Sequence, residues 1–183
     1  MKKTLFFAPI ALLCASAAFG QPDAAPQAGL TLGSITWAAT NVNEQANFAP
    51  QADMYTQLHT WGSNPCPTGW RVPTKEEFQA LANSGSSWAG AERRGNSVAG
   101  RFFGPNNASC TMSDLTGCIF LPACGFRGTD GSVGNQGSSG YYWAQEEHSA
   151  ANGFLLSFRA SSTSINPENS RNKNDGRAVR CVR

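Results

Sequence analysis

Apolar and polar residues alternate at Leu30, Leu32, Ile35 and Trp37 across Gly33-Ser34, the pattern of two short strands joined by a hairpin turn. A different period sets in at Thr74. Phe78, Leu81 and Ala82 recur at helical spacing, so one side of a helix is apolar. Thr74 and Glu77 have the spacing of a capping box, just after Val72-Pro73 closes the preceding extended segment, and Gly85 is a natural terminator. The pattern predicts one main helix near 74–84. Beyond it, apolar residues come in short runs at Ile119–Phe126, Tyr141–Ala144, Phe154–Phe158 and Ala178–Val182, divided by Gly, Ser and Asn clusters. Within the third run Phe154, Leu156 and Phe158 alternate with Leu155 and Ser157, as on a strand with one buried face. Residues 159–177 have no such run and read as the longest loop, a length that is usually functional or disordered. No long internal repeat is visible. The expectation is an α+β domain with few short strands, one main helix and long loops.

The N-terminus has another purpose. Met1-Lys2-Lys3 is basic, Leu5 to Leu13 is apolar, and Ala18-Phe19-Gly20 puts small residues at a cleavage position. These are the three regions of a signal peptide. Cleavage is expected after Gly20, with 21–28 as a flexible leader and 29–183 as one domain. Leu13 is too large for the residue ahead of a lipidated Cys14, so plain cleavage is the better reading. The apolar run is too short for a spanning helix, and no later segment approaches ~20 apolar residues. The expected location is outside the cytoplasm: secreted, periplasmic or at the cell surface.

Charge narrows the classes. Fourteen Lys and Arg face twelve Asp and Glu, and two of the lysines fall in the signal peptide, so the exported chain is near neutrality. That excludes a nucleic-acid binder, which needs a basic surface to displace counterions. Apolar residues at 40% are enough for a core, which excludes a disordered chain. Export also changes what the cysteines mean, because thiols pair outside the cytoplasm. With Cys14 removed, five remain, and residue reading alone leaves several pairings open. A turn-rich stretch between Cys110 and Cys118 favours a local bridge. Cys124, inside an apolar run, reads as a buried thiol outside any bridge. Cys66 and Cys181 then stand at opposite ends of the domain, where a bridge would remove about 4–5 kcal/mol of unfolded-chain entropy. No C-x-x-C pair and no His beside a Cys occurs, which disfavours zinc.

Several segments, in order, carry a resemblance. They are Gly29-Leu30-Thr31 with Ile35–Val42, then Cys66-Pro67-Thr68-Gly69-Trp70-Arg71-Val72-Pro73-Thr74 with Glu76-Glu77-Phe78, then Phe120–Arg127, Gly140–Trp143 and Ala178–Val182. Together they resemble the Fibrobacter succinogenes major paralogous domain over about residues 29–183. The resemblance implies a C-type-lectin-like fold, a compact α+β unit whose N- and C-terminal strands pair beside a long irregular loop region. It also implies a Cys66–Cys181 bridge. Cys124 departs from the alanine usual in that family, Phe126 from tyrosine and Ala144 from serine. Some members of the family are targets of sequence-diversifying systems that alter the C-terminal region.

Candidate chemistry is sparse. The two histidines, His59 and His148, lie in no metalloprotease motif, and neither a nucleophile elbow nor a P-loop appears. Adjacent Glu146 and Glu147 point to opposite faces of a strand and read as solvated charge. Apolar flanks argue for an inert Cys124. No enzyme is expected. Asn166-Pro167-Glu168-Asn169 and Asn172-Lys173-Asn174-Asp175 carry oxygens suited to calcium, but Arg171 and Lys173 repel a cation, so polar turns are the better reading. No metal or cofactor is expected. Trp143 reads as core, with Tyr142 on the opposite face available to a ligand. The candidate surface is therefore Tyr142, Gln145, Glu146, His148, Asn152, Arg159, Asn166, Asn169, Arg171, Asn172, Lys173 and Asn174. Varied polar side chains on a pinned scaffold suit recognition. The expected function is a surface-exposed module binding a protein or glycan, with a structural or adhesive component of a surface assembly as the alternative.

Overall fold

The computed structural model describes residues 29–43, 45 and 56–183. The expected signal peptide, Cys14 and the expected 21–28 leader lie outside the described residues. The first elements are a hairpin of β1 (Thr31–Leu32) and β2 (Ile35–Thr36), turned by Gly33 at φ 60°. After it comes the helix α1 (Lys75–Asn83). Thr74 is its N-cap: the Thr74 hydroxyl accepts from the Glu77 N–H at 3.2 Å, and Glu77 accepts from the Thr74 N–H at 2.8 Å. The predicted capping box is present, and Phe78 and Leu81 are the buried face.

Strands β3 (Ser86–Ala89), β4 (Gly100–Phe103) and β5 (Ile119–Pro122) form one antiparallel sheet in chain order. β6 (Phe126–Arg127) and β7 (Val133–Gly134) make a short hairpin. β8 (Ser139–Glu147), β9 (Asn152–Arg159) and β10 (Ile165–Asn172) form the largest sheet, ordered β10-β9-β8 and antiparallel throughout.

This corrects the expected architecture. The described residues are mostly β, with several small antiparallel sheets and a single short helix, rather than an α+β, C-type-lectin-like arrangement. The reason is visible in β3 and β10. Their sequences, Ser-Ser-Trp-Ala and Ile-Asn-Pro-Glu-Asn-Ser-Arg-Asn, carry little alternating hydrophobicity. Their pairing rests on backbone ladders to β4 and β9. The region 159–177 is accordingly no single loop, since β10 occupies its middle. A register shift between Asn166 and Asn169 places Pro167, which has no N–H to donate, at an irregularity where the ladder does not need one.

The first described segment and the C-terminal residues pair, as the resemblance implied. Thr36 and Arg183 exchange backbone hydrogen bonds at 2.9 and 3.0 Å, and the Ala38 N–H donates to the Cys181 carbonyl at 2.9 Å. Ala178–Val182 itself forms isolated bridges to Trp37, Arg71 and Tyr142, not a regular strand. Cys66 and Cys181 are bridged with Cα atoms 5.8 Å apart, and Cys110 and Cys118 at 6.7 Å. Cys124 lies outside both bridges and is buried.

Two core clusters meet at the large sheet. One holds Trp37, Phe78, Phe103, Tyr142, Leu156 and Phe158. The other holds Val42, Trp70, Tyr141, Trp143, Leu155 and the Cys66–Cys181 bridge. Alternation along β8 and β9 therefore feeds both clusters, and the middle of this sheet is buried on both faces. The buried Arg180 ties the C-terminal segment to residues 38–41 and to β5. Its guanidinium donates to Asn41 Oδ1 at 2.9 Å, the Ala38 carbonyl at 3.0 Å and the Phe120 carbonyl at 2.8 Å. Burial lowers it to about 10, still a cation at neutral pH.

Candidate functional site

Antiparallel pairing decides which predicted residues meet. The β8–β9 turn brings Gln145, Glu146 and His148 beside Asn152, and Asn172 pairs with Asn152 on the other side. Arg171, Lys173 and Asn174 follow at the same end of the sheet. Arg159 is at the opposite end, paired with Ser139, and Asn166 pairs with Ser157 near it. Asn169 lies in the middle, where its Nδ2 donates to Ser157 Oγ at 2.9 Å and its Oδ1 accepts from Arg171 at 2.8 Å. The structure thus gathers eight of the twelve residues and separates Arg159, Asn166 and Asn169 from them.

Tyr142 is the correction. It does face away from Tyr141 and Trp143, but that face packs against Leu156 and Phe158, and Tyr142 is fully buried. It presents nothing to a ligand. Its hydroxyl donates to the Pro122 carbonyl at 2.7 Å and lies 3.5 Å from the Cys124 sulfur. Burial pushes the Cys124 thiol up to about 11, so little thiolate forms near neutrality, as its apolar flanks suggested.

Beside the gathered residues lies a cleft of about 300 Å³, lined by Thr60–Asn64, Arg71, Val72, Trp143–Gln145 and Val179. The 60–64 segment is anchored to the sheet end. The Trp61 N–H donates to the Lys173 carbonyl at 3.0 Å, and Trp61 Nε1 donates to the Ala144 carbonyl at 3.1 Å. Lys173 Nζ sits 4.5 Å from the indole centroid and pairs with Glu147 at 3.1 Å. Opposite, Arg71 makes a bidentate pair with Glu77 at 2.8 and 2.5 Å. Burial disfavours the Glu77 carboxylate, yet the Arg71 and Thr74 hydrogen bonds outweigh it and hold Glu77 below its usual range. The charge of Arg71 is thereby matched, while its side chain stays 41% exposed. Gln145 is exposed; its backbone N–H donates to the Pro73 carbonyl at 2.8 Å, while its side-chain amide enters no hydrogen bond among the described residues. Asn64, also in the lining, accepts through Oδ1 from the Cys66 N–H at 3.2 Å.

Glu146 is not merely solvated charge. It accepts from the Lys75 N–H at 2.9 Å, so it satisfies an open donor of α1, where helix ends favour anions. Glu168 approaches Lys75 at 3.7 Å. The oxygens weighed for calcium are engaged in turns: Asn166 accepts from the Glu168 N–H, Asn172 from the Asn174 N–H, and Asp175 pairs with Arg177. Among the described residues no group of His, Cys, Asp and Glu has metal-holding geometry. Also among them, no helix is long and apolar enough to cross a membrane. Sequence reasoning missed Trp61, Asn64 and Arg71 as cleft residues. The available signal was a lone tryptophan inside the turn-forming string Thr60-Trp61-Gly62-Ser63-Asn64.

No curated protein and no solved structure matches the chain. Residues 20–183 match the family described as the Fibrobacter succinogenes major domain. The match spans nearly the whole chain and includes the five ordered motifs, the capping box and both partners of the long bridge. The chain therefore belongs to the Fibrobacter succinogenes major domain family.

Proposed function

We propose that this chain is an exported binding module that holds a glycan or protein ligand at the cleft between the 60–64 segment and the end of the large sheet. The observation that carries this reading is the cleft itself. Its volume of about 300 Å³ lies at the small end of ligand sites. Gln145 and Asn64 are part of its lining, and its one charged lining residue is already neutralised by Glu77. Such a lining favours uncharged, hydrogen-bonding ligand groups, because a charged group there gains no counter-ion to offset its desolvation. The neighbouring Asn152, Arg171, Asn172 and Asn174 extend the contact around the rim. A platform pinned by the Cys66–Cys181 bridge keeps these groups in place and lowers the ordering cost of binding.

The test is an array of glycans and surface proteins probed with the oxidised exported protein, with and without calcium. A ligand is expected whose binding weakens roughly tenfold in Gln145→Ala or Asn64→Ala, the effect of losing one buried hydrogen bond. An unchanged melting temperature is expected for Gln145→Ala, whereas Asn64→Ala also removes the acceptor of the Cys66 N–H. A ligand indifferent to both substitutions, or none at all, overturns the assignment.

A further inference from the structure

A second recess, of about 330 Å³, lies at the other end of the large sheet. It is lined by Asn135, Ser138, Ser139, Arg159, Ala160 and Ser161. The recess forms where β8 starts and β9 stops: Ser139 pairs with Arg159, and the Ala160 N–H donates to the Ser138 carbonyl at 2.9 Å. Asn135 shapes the turn from the left-handed region at φ 58°. Its carbonyl accepts from the Ser138 and Ser139 N–H groups, and its Nδ2 donates to the Tyr141 hydroxyl at 3.2 Å.

The chemistry of this lining is one-sided. It holds a guanidinium, three hydroxyls and an amide, and no carboxylate. Arg159 is exposed, and its side chain enters no hydrogen bond or ion pair among the described residues. The Ser139 hydroxyl likewise enters none, although the residue is only 4% exposed. A second cation stands behind the rim. Arg101, also 4% exposed, donates through Nη2 to the carbonyls of Arg159 and Ser162 at 3.2 and 2.6 Å, and its Nε has no partner among the described residues. That contact fixes the backbone from which Arg159 projects, so the exposed guanidinium stands on a rigid base.

We propose that this recess binds a small oxyanion group, a carboxylate or sulfate monoester, through Arg159 with the hydroxyls of Ser139 and Ser161, since the Ser138 hydroxyl already donates to the Asn135 carbonyl at 3.0 Å. A guanidinium presents paired donors that match a planar or tetrahedral oxyanion, and serine hydroxyls supply further donors without adding charge. Arg101 adds long-range attraction. The site is separate from the neutral cleft, so it does not depend on the binding reading given above.

The test is an NMR titration of the oxidised full chain at fixed ionic strength with sodium sulfate, glucuronate and glucose 6-sulfate. Saturable shifts are expected at the Arg159 side-chain Nε–H and at the Ser161 amide. Arg159→Gln is expected to weaken binding roughly tenfold, the loss of one charge-assisted contact, with circular dichroism unchanged. Gln145→Ala, at the other end of the sheet, leaves it unaltered. Tighter binding of glucuronate or of glucose 6-sulfate identifies the preferred group, and tighter binding of glucose 6-sulfate than of free sulfate shows that the carrier sugar contributes. Absence of saturable shifts, or full affinity retained in Arg159→Gln, overturns the proposal.

Discussion

Trp61 lies so close to Gly153 that a Cβ on that glycine would collide with the indole. Gly153 sits in β9, between Glu147 of β8 and Arg171 of β10, and its bare backbone is the seat of the tryptophan that anchors the cleft wall. Gly153→Ala is therefore expected to dislodge Trp61 and break its bond to the Ala144 carbonyl. The expected cost is about 1–3 kcal/mol, typical of overpacking. Thermal unfolding reads the cost, and a shifted tryptophan emission reads the displacement. Unaltered emission would mean that the wall absorbs the methyl elsewhere.

The two bridges are expected to differ in worth. Cys66–Cys181 spans 115 residues and Cys110–Cys118 spans 8. In the chain-entropy model these correspond to about 5 and about 2.5 kcal/mol. Replacing both cysteines of the long bridge by Ser should lower denaturation midpoints well beyond the same change at the short one. Equal losses would show that the short bridge also fixes something native, such as the carbonyls held by Arg94 at Cys110 and Asn107.

The Arg71–Glu77 pair is expected to leave a mark on acid unfolding. The folded Glu77 carboxyl lies below its ordinary range, so its contribution is fully present above the unfolded value of about 4.3. It is lost as pH falls through the lower folded value. Glu77→Gln should cost about 1 kcal/mol at neutral pH, in the range of capping losses. The gap between variant and parent should close toward pH 2. A gap independent of pH would assign the effect to the helix cap geometry alone.

Cys124 is expected to resist alkylation. Burial among Asn41, Tyr142 and Arg180, with a thiol raised to about 11, leaves little thiolate at pH 8 and no path for reagent. Mass spectrometry after iodoacetamide should show no adduct on the peptide carrying Cys124 in the native protein and one on it after denaturation without reductant. Rapid native labelling would indicate local opening around β5.

Local sequence was enough for features whose cause is local. Thr74 and Glu77 stand three residues apart, so their mutual hydrogen bonds follow from helix geometry, and α1 forms where its cap and apolar spacing place it. Gly33 turns the first hairpin for the same reason. Cys110 and Cys118 are near neighbours, whereas the Cys66–Cys181 pairing was legible through family resemblance. Alternation along β8 correctly put Tyr142 opposite Trp143. What alternation does not contain is the identity of the layer beyond each face. Because Phe158 and Leu156 cover one side and Leu155 and Val179 the other, Tyr142 is core.

The remainder was settled only by chain segments meeting across long separations. Strand β10 is polar throughout most of its length and is a strand because β9 offers it a ladder, an interaction that depends on backbone rather than side-chain pattern. The cleft joins residues 60–64, 71–72, 143–145 and 179, none of which signals the others in sequence. Glu146 finds the open N–H of Lys75 in the same way, and the oxyanion recess exists only because β8 begins where β9 ends. Caps, turns and periodicities are properties of neighbouring residues; sheet order, two-sided burial and concave surfaces are properties of the packed whole.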